Sequence, residues 1–289
     1  MRALLWGLAI VCISPWARAE DRLAAPTGQL GAGIAFNPRQ HGRVYGELGF
    51  FHRSDTSHLN SVPAVVGFGY KVVPTLELEA LLPLAFAEIG SSSRSEAAFG
   101  VGNLHVGLSY LRGTPGFRMK LGLAVEYGPW TNDSGADTSV ALILGHPVGG
   151  GQDIGLWVPG IFSIVAPGRF EVGETLVAGA DVALGAHFPV ADTALISNAD
   201  DVVITVQVAP GVGVYLGRSA LLGLRMPITL VPTNVDDDGT LLALEPYARF
   251  DLGGGFLNAR LTMNLDEPYG FSFDEDRLWG LHVGGGATF

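Results

Sequence analysis

Long stretches of this chain alternate with a period of two over 10 to 16 residues, which removes most folds from consideration. From 256 to 265, Leu257, Ala259, Leu261, Met263 and Leu265 share one face, and Asn258, Arg260, Thr262 and Asn264 share the other. From 242 to 251, Leu242, Leu244, Pro246, Ala248 and Phe250 oppose Ala243, Glu245, Tyr247, Arg249 and Asp251. Leu222, Leu224, Met226, Ile228 and Leu230 alternate with Gly223, Arg225, Pro227 and Thr229. Ile204, Val206, Val208, Pro210, Val212 and Val214 alternate with Thr205, Gln207, Ala209, Gly211 and Gly213. Arg118, Lys120, Gly122, Ala124 and Glu126 share a face in 117–127, as do Glu77, Glu79, Leu81, Pro83 and Ala85 in 76–86. Successive side chains of a strand point to opposite faces, so each run is one extended strand. Strands in globular sheets mostly run ~5–6 residues. A tilted strand crossing the hydrocarbon of a bilayer needs about 9–11.

The chemistry of the two faces fits that crossing. One face is apolar, as lipid requires; the other carries charges of both signs, as the interior of a membrane barrel tolerates. Glu47, Lys71 and Asp181 fall on the charged face as well. A soluble β-sandwich gives the same alternation with shorter strands. Mean hydropathy is +0.33 with 48% hydrophobic residues, yet beyond the first residues no stretch carries ~18 uninterrupted apolar residues, so helical spans are excluded. Glycine, 41 of 289 residues, is about twice its usual ~7% and disfavours long helices. The expectation is an all-β chain: a transmembrane, antiparallel, up-and-down β-barrel of about 12 strands, with 14 as the alternative.

The first residues read as a secretory leader. Met1 and Arg2 give a positive start, an apolar run follows to Ser14, and Ala17-Arg18-Ala19 matches a cleavage pattern. The expected organisation is a signal peptide over 1–19, an N-terminal segment over 20–42 holding at most one extra strand (28–37), and one barrel domain over 43–289. Cys12 is the only cysteine and leaves with the leader, which excludes disulfides and thiolate chemistry in the mature chain. Bulky Val11 before it argues against lipid attachment. Net charge is −11, which excludes nucleic acid as a partner, since phosphate contacts need clustered Lys and Arg.

The chain ends on Trp279, Leu281, Val283, Gly285, Ala287 and Phe289, alternating up to the terminal residue. This resembles the last strand of bacterial outer-membrane barrels, where a terminal Phe is recognised by the barrel-assembly machinery; the resemblance makes Phe289 the assembly signal and a Gram-negative outer membrane the location, with the lipid bilayer and lipopolysaccharide as partners. Connections at 72–75, 112–116, 217–219 and 253–255 are short, and those at 88–97, 129–137, 232–239 and 266–276 are longer and polar, the asymmetry expected of periplasmic turns and outer loops. Thirteen strands can be traced from Arg43, or fourteen with 28–37; the alternation of short and long connections loses phase through 166–202, and 12 is the even number favoured.

A second likeness concerns family. Phe99-Gly-Val-Gly-Asn-Leu-His-Val-Gly-Leu-Ser-Tyr110 resembles the Gly-x-Gly-Asp-Leu-x-x-Gly-x-x-Tyr strand of a family of outer-membrane transporters often labelled as linked to phenol degradation. Thr75-Leu-Glu-Leu-Glu-Ala-Leu-Leu-Pro83 is similar to the strand before it, and Asn103 stands where that family has Asp. The resemblance implies a transporter of small solutes or hydrophobic compounds.

The candidate site is the lumen, lined by Glu77, Glu79, Arg118, Lys120, Glu126, Arg225, Glu245, Arg249 and Arg260. The expected function is a passive channel or uptake pore whose selectivity follows from width and charge. The rival is a closed structural or surface-interaction barrel whose interior side chains fill the space. Small inward residues (Gly122, Ala124, Gly211, Gly213, Gly284, Gly286) fit either open space or close packing. No cofactor is expected. Asn234, Asp236, Asp238, Gly239 and Glu245 match the spacing of a calcium loop, though no helices flank them, and a solvated hairpin loop reads equally. With Asp274-Glu275-Asp276, these acidic outer loops could share divalent cations with lipopolysaccharide phosphates, and at a pore mouth they would lend a mild cation preference, which the inward arginines oppose. A barrel-embedded hydrolase would use His105, Ser109 or His282, but neither Gly-x-Ser-x-Gly nor His-Glu-x-x-His occurs. The chain is therefore not expected to be an enzyme.

Overall fold

The computed structural model describes residues 41–53, 57–91, 94–114, 116–128, 154–190, 202–217, 219–232, 240–265 and 278–289. The runs that alternate in sequence are its strands. They are β1 (Gly42–Arg53), β2 (Ser57–Val73), β3 (Leu76–Ser91), β4 (Arg94–Val101), β5 (Leu104–Thr114), β6 (Phe117–Tyr127), β7 (Ile161–Gly173), β8 (Leu176–Pro189), β9 (Val203–Leu216), β10 (Ala220–Arg225), β11 (Ile228–Leu230), β12 (Thr240–Asp251), β13 (Gly255–Asn264) and β14 (Leu278–Thr288). One helical turn, α1 (Ile154–Trp157), precedes β7.

Every neighbouring pair is antiparallel, and β1 pairs with β14 from Arg43↔Thr288 to Arg53↔Leu278, so the sheet closes on itself. Closure leaves no unpaired edge, which a bilayer demands. Fourteen strands make a 12-strand barrel because two positions are each shared by two short strands. β4 and β5 both pair with β3, with a break at Gly102 and Asn103. β10 and β11 both lie between β9 and β12, with a break at Met226 and Pro227. Pro227 has no N–H to give the ladder, and its carbonyl still accepts the Ala243 amide at 3.0 Å.

The connections that follow β2, β5, β7, β9 and β12 are short and lie at one rim, together with Gly42 and Phe289. Four of them contain a glycine in the left-handed region, Gly116, Gly173, Gly217 and Gly253, the conformation that lets a strand reverse within two or three residues. Two sequence expectations are corrected. The stretch 88–97 is a hairpin, β3 running to Ser91 and β4 starting at Arg94, because charged residues at the far rim gave strand ends the composition of a loop. Through 166–202 the missed feature is the turn at Glu174 and Thr175 between β7 and β8. The outer face of β8 holds Ala178, Ala180 and Ala186, too small to mark the alternation. The N-terminal expectation at 28–37 lies outside the described residues.

The core is inverted relative to a soluble protein. Leu48, Val66, Leu123, Leu184, Val212, Leu257 and Val283 are exposed on the outside, while buried positions inside include Arg, Glu, Lys, His, Asn and Thr. α1 and the residues after it fold inward. Leu156, Trp157 and Val158 are buried, the first two in an apolar cluster with Tyr45, Leu81, Ala85 and Phe256.

Candidate functional site: the charged barrel interior

The pleat sends every second side chain inward, and register decides which of them meet. Near the short-turn rim, Arg43 donates to Glu77 and Glu79, each at 2.9 Å. Lys120 reaches the same two carboxylates, at 3.4 and 2.5 Å. The Tyr45 hydroxyl donates to Glu79 at 2.8 Å. Arg43 and Tyr45 lie on β1 and the glutamates on β3, so both side chains must cross β2. Gly67 and Gly69 allow this: a Cβ at Gly67 would stand 2.2 Å from the Tyr45 ring and one at Gly69 2.7 Å from Arg43 Nε. On the next strands Arg118 pairs with Glu171, its ladder partner, and donates to the Tyr215 hydroxyl at 3.1 Å.

At mid-height Glu245, fully buried, is the hub. It accepts from Arg225 Nε at 2.7 Å, from Arg260 at 2.6 Å and from the Thr262 hydroxyl at 3.2 Å. Arg225 also reaches Asp181 at 2.9 Å, and Arg260 pairs with Glu47, which lies 3.2 Å from His282. The network joins β8, β10, β12, β13, β1 and β14. Such buried pairs offset their desolvation only when every charge is matched and hydrogen-bonded.

Toward the other rim arginine and lysine give way to histidine and hydroxyl groups, and the interior is capped. His105 and Glu126, ladder partners, meet at 2.8 Å. Ser163 and His187 do the same at 2.8 Å, and the second ring nitrogen of His187 meets the Thr205 hydroxyl at 2.9 Å. α1 lies over this tier, anchored by Asn103. The Asn103 side-chain amide donates to the carbonyls of Gly155 at 2.6 Å, Val158 at 2.8 Å and Ile161 at 3.2 Å. Its backbone N–H donates to Leu156 at 2.8 Å.

All nine residues expected in the lumen are placed there, buried and inward. Seven share ion pairs between a carboxylate and arginine or lysine, Glu126 meets His105, and Arg249 alone of the nine has no such partner. Arg43, Arg169 and Glu171 were not foreseen as lining residues, although Arg169 and Glu171 are two apart and alternate like the rest. The inward α1 was not foreseen either; its only signal is the apolar Ile-Gly-Leu-Trp inside an apparent loop. Asn234, Asp236, Asp238 and Gly239 lie outside the described residues, and the Glu245 carboxylate is occupied by two arginines. Phe289 sits at the short-turn rim, largely exposed with its ring tip against Gly42, and its carbonyl accepts from His41 and Gly42 at 2.7 and 2.9 Å.

The small inward residues divide. A Cβ at Gly284 or Gly286 would strike a backbone oxygen at 2.8 and 2.5 Å, so these glycines serve close packing. Gly179, Gly211 and Gly213 instead line a cavity of about 30 Å³ with Arg169, Glu171, Asp181, Arg225 and Tyr247. That volume holds about two waters. Ser163 has no comparable space beside it: a Cβ on Gly155 would lie 2.1 Å from its hydroxyl.

No family model matches the chain, and no curated relative does. Solved structures do match. An outer membrane channel from Pseudomonas putida F1 is 12% identical with a TM-score of 0.56, covering 95% of this chain and 100% of its own. The translocator domain of the autotransporter NalP from Neisseria meningitidis is 12% identical with a TM-score of 0.53, covering 86% and 89%. The fold is thus that of outer-membrane β-barrels, consistent with the weak resemblance carried by 99–110.

Proposed function

We propose that the mature protein resides in a bacterial outer membrane, after loss of the 1–19 leader, and acts as a narrow passive channel for small polar solutes. The observation that carries this reading is the pairing of a lipid-compatible exterior with an interior of ionised side chains. A barrel with nothing to pass could fill its interior with apolar groups at less desolvation cost. The channel from Pseudomonas putida shares the barrel architecture, and that likeness supports the reading without naming a solute. A hydrolase finds no support in the Ser163–His187 pair, which is walled in by Gly155.

The rival is a closed barrel, favoured by the filled interior and by α1 across it. Planar-bilayer recording of the refolded mature chain separates the two. Discrete, small conductance steps are expected. Silence from protein that shows the heat-modifiable mobility of a folded barrel would favour the closed form. Recovery of the mature chain from the soluble periplasm would overturn both.

A further inference from the structure

We propose that the short-turn end of the interior is a binding site for a small carboxylate anion, with Arg249 as its docking cation. Arg249 is 1% exposed, and Nε and both terminal nitrogens have no hydrogen-bond partner among the described residues. Its guanidinium carbon lies over the Phe256 ring, 4.1 Å from the centroid. Its ladder neighbours are Leu221 and Asn258, both neutral. Arg43 is the strongest charged influence on it and, like Arg169, repels it. Asp251 attracts it more weakly, and one Asp251 oxygen is engaged by the Gly253 amide at 2.9 Å.

The surroundings are cationic as a whole. Within four residues of a short turn, or of the strand start at Gly42 on the same rim, the buried inward cations are Arg43, Lys71, Arg118, Lys120 and Arg249. Only three buried carboxylates, Glu77, Glu79 and Glu171, share that zone. At mid-height the balance tips the other way, with Arg225 and Arg260 against Glu47, Asp181 and Glu245. An unmatched guanidinium inside a protein is strongly disfavoured unless an anion or water joins it. The planar fork of N–H groups fits the two oxygens of a carboxylate, and the ring beside it holds the guanidinium carbon in place. The proposal deepens the channel reading by naming a class of solute; it relies on that reading only for the route by which the anion arrives.

The test uses the refolded mature protein and acetate. In detergent, acetate binding is measured by NMR for the wild type and for Arg249→Met, which keeps the apolar stem over Phe256. Binding is expected in the wild type and at least ~10-fold weaker in the variant, the loss of about one charge-assisted contact. Arg249→Lys should retain attraction for anions but lose the preference for acetate over chloride. In bilayers, the acetate-to-potassium permeability ratio should fall in Arg249→Met. A silent wild type with Arg249-dependent acetate binding refutes the channel and keeps the site. Conduction with the same ratio and the same binding in both proteins refutes the site and keeps the channel. Should Arg249→Met fail to refold, the wild type decides: acetate replacing fluoride at equal ionic strength raises the urea midpoint if the site exists and leaves it unchanged if it does not.

Discussion

Asn103 offers the sharpest test of how the inward segment is held. Three carbonyl oxygens converge on one side-chain atom, so that atom must be the amide nitrogen, whose two hydrogens serve Gly155 and Val158 and share the weaker contact to Ile161. Asn103→Ala removes two good hydrogen bonds of about 1 kcal/mol each, so the segment should loosen by about 2 kcal/mol, roughly a 30-fold rise in its open population. The barrel ladder is untouched, because β3, β5 and β6 pair through their backbones. Trp157, buried in the segment, reports the change. With Trp130 and Trp279 replaced by Phe, emission should shift to the red, and mean conductance should rise. Asn103→Asp should act more strongly at neutral pH, since an ionised carboxylate has no donor and would face three carbonyl oxygens. Unchanged Trp157 emission with a lower urea midpoint for the whole barrel would refute the reasoning and make Asn103 a brace for the β4–β5 break.

Three further outcomes are expected. Glu245→Gln leaves Arg225 and Arg260 incompletely matched and should destabilise the barrel in lipid by about 3–5 kcal/mol, measured by urea unfolding; a shift below 1 kcal/mol would mean water already solvates the hub. Leu224→Arg, on the exposed outer face, should cost about 2–4 kcal/mol near the bilayer midplane, whereas an arginine tolerated there with wild-type stability would contradict the lipid-facing assignment. Phe289→Asp should lower the amount of assembled protein in cells while the purified chain refolds normally, because Phe289 is 58% exposed and little folded-state packing is lost; equal membrane levels would remove the role in assembly.

Fold was legible because a period of two survives wherever the outer residues are large. It failed on β8, where Ala178, Ala180 and Ala186 stand where lipid-facing leucines would be clearer, and at the far rim, where Glu88 gave a strand end the look of a loop. The inward charges were legible from the same alternation. Their partners were not, since Arg43 reaches Glu79 across an intervening strand, through the space left by Gly69. The inward turn of α1 could not be read either: four residues carry no period, and its anchor, Asn103, lies 52 residues from the carbonyl of Gly155.

Register and passage draw on the same side chains. Arg225↔Glu245, Arg118↔Glu171, His105↔Glu126 and Ser163↔His187 are ladder partners as well as polar contacts. A slip of one residue would turn every such group toward lipid, so these contacts fix pairing during closure. That role explains matched charges but not an unmatched one. Arg249 is ladder partner to Leu221 and Asn258 and makes no ion pair with either; the contact its register gives it is with the Phe256 ring. Its Phe256 platform would hold a neutral side chain of similar length with less desolvation cost. A charge that folding does not require, placed in the most cationic part of the interior, is accounted for by what the interior receives.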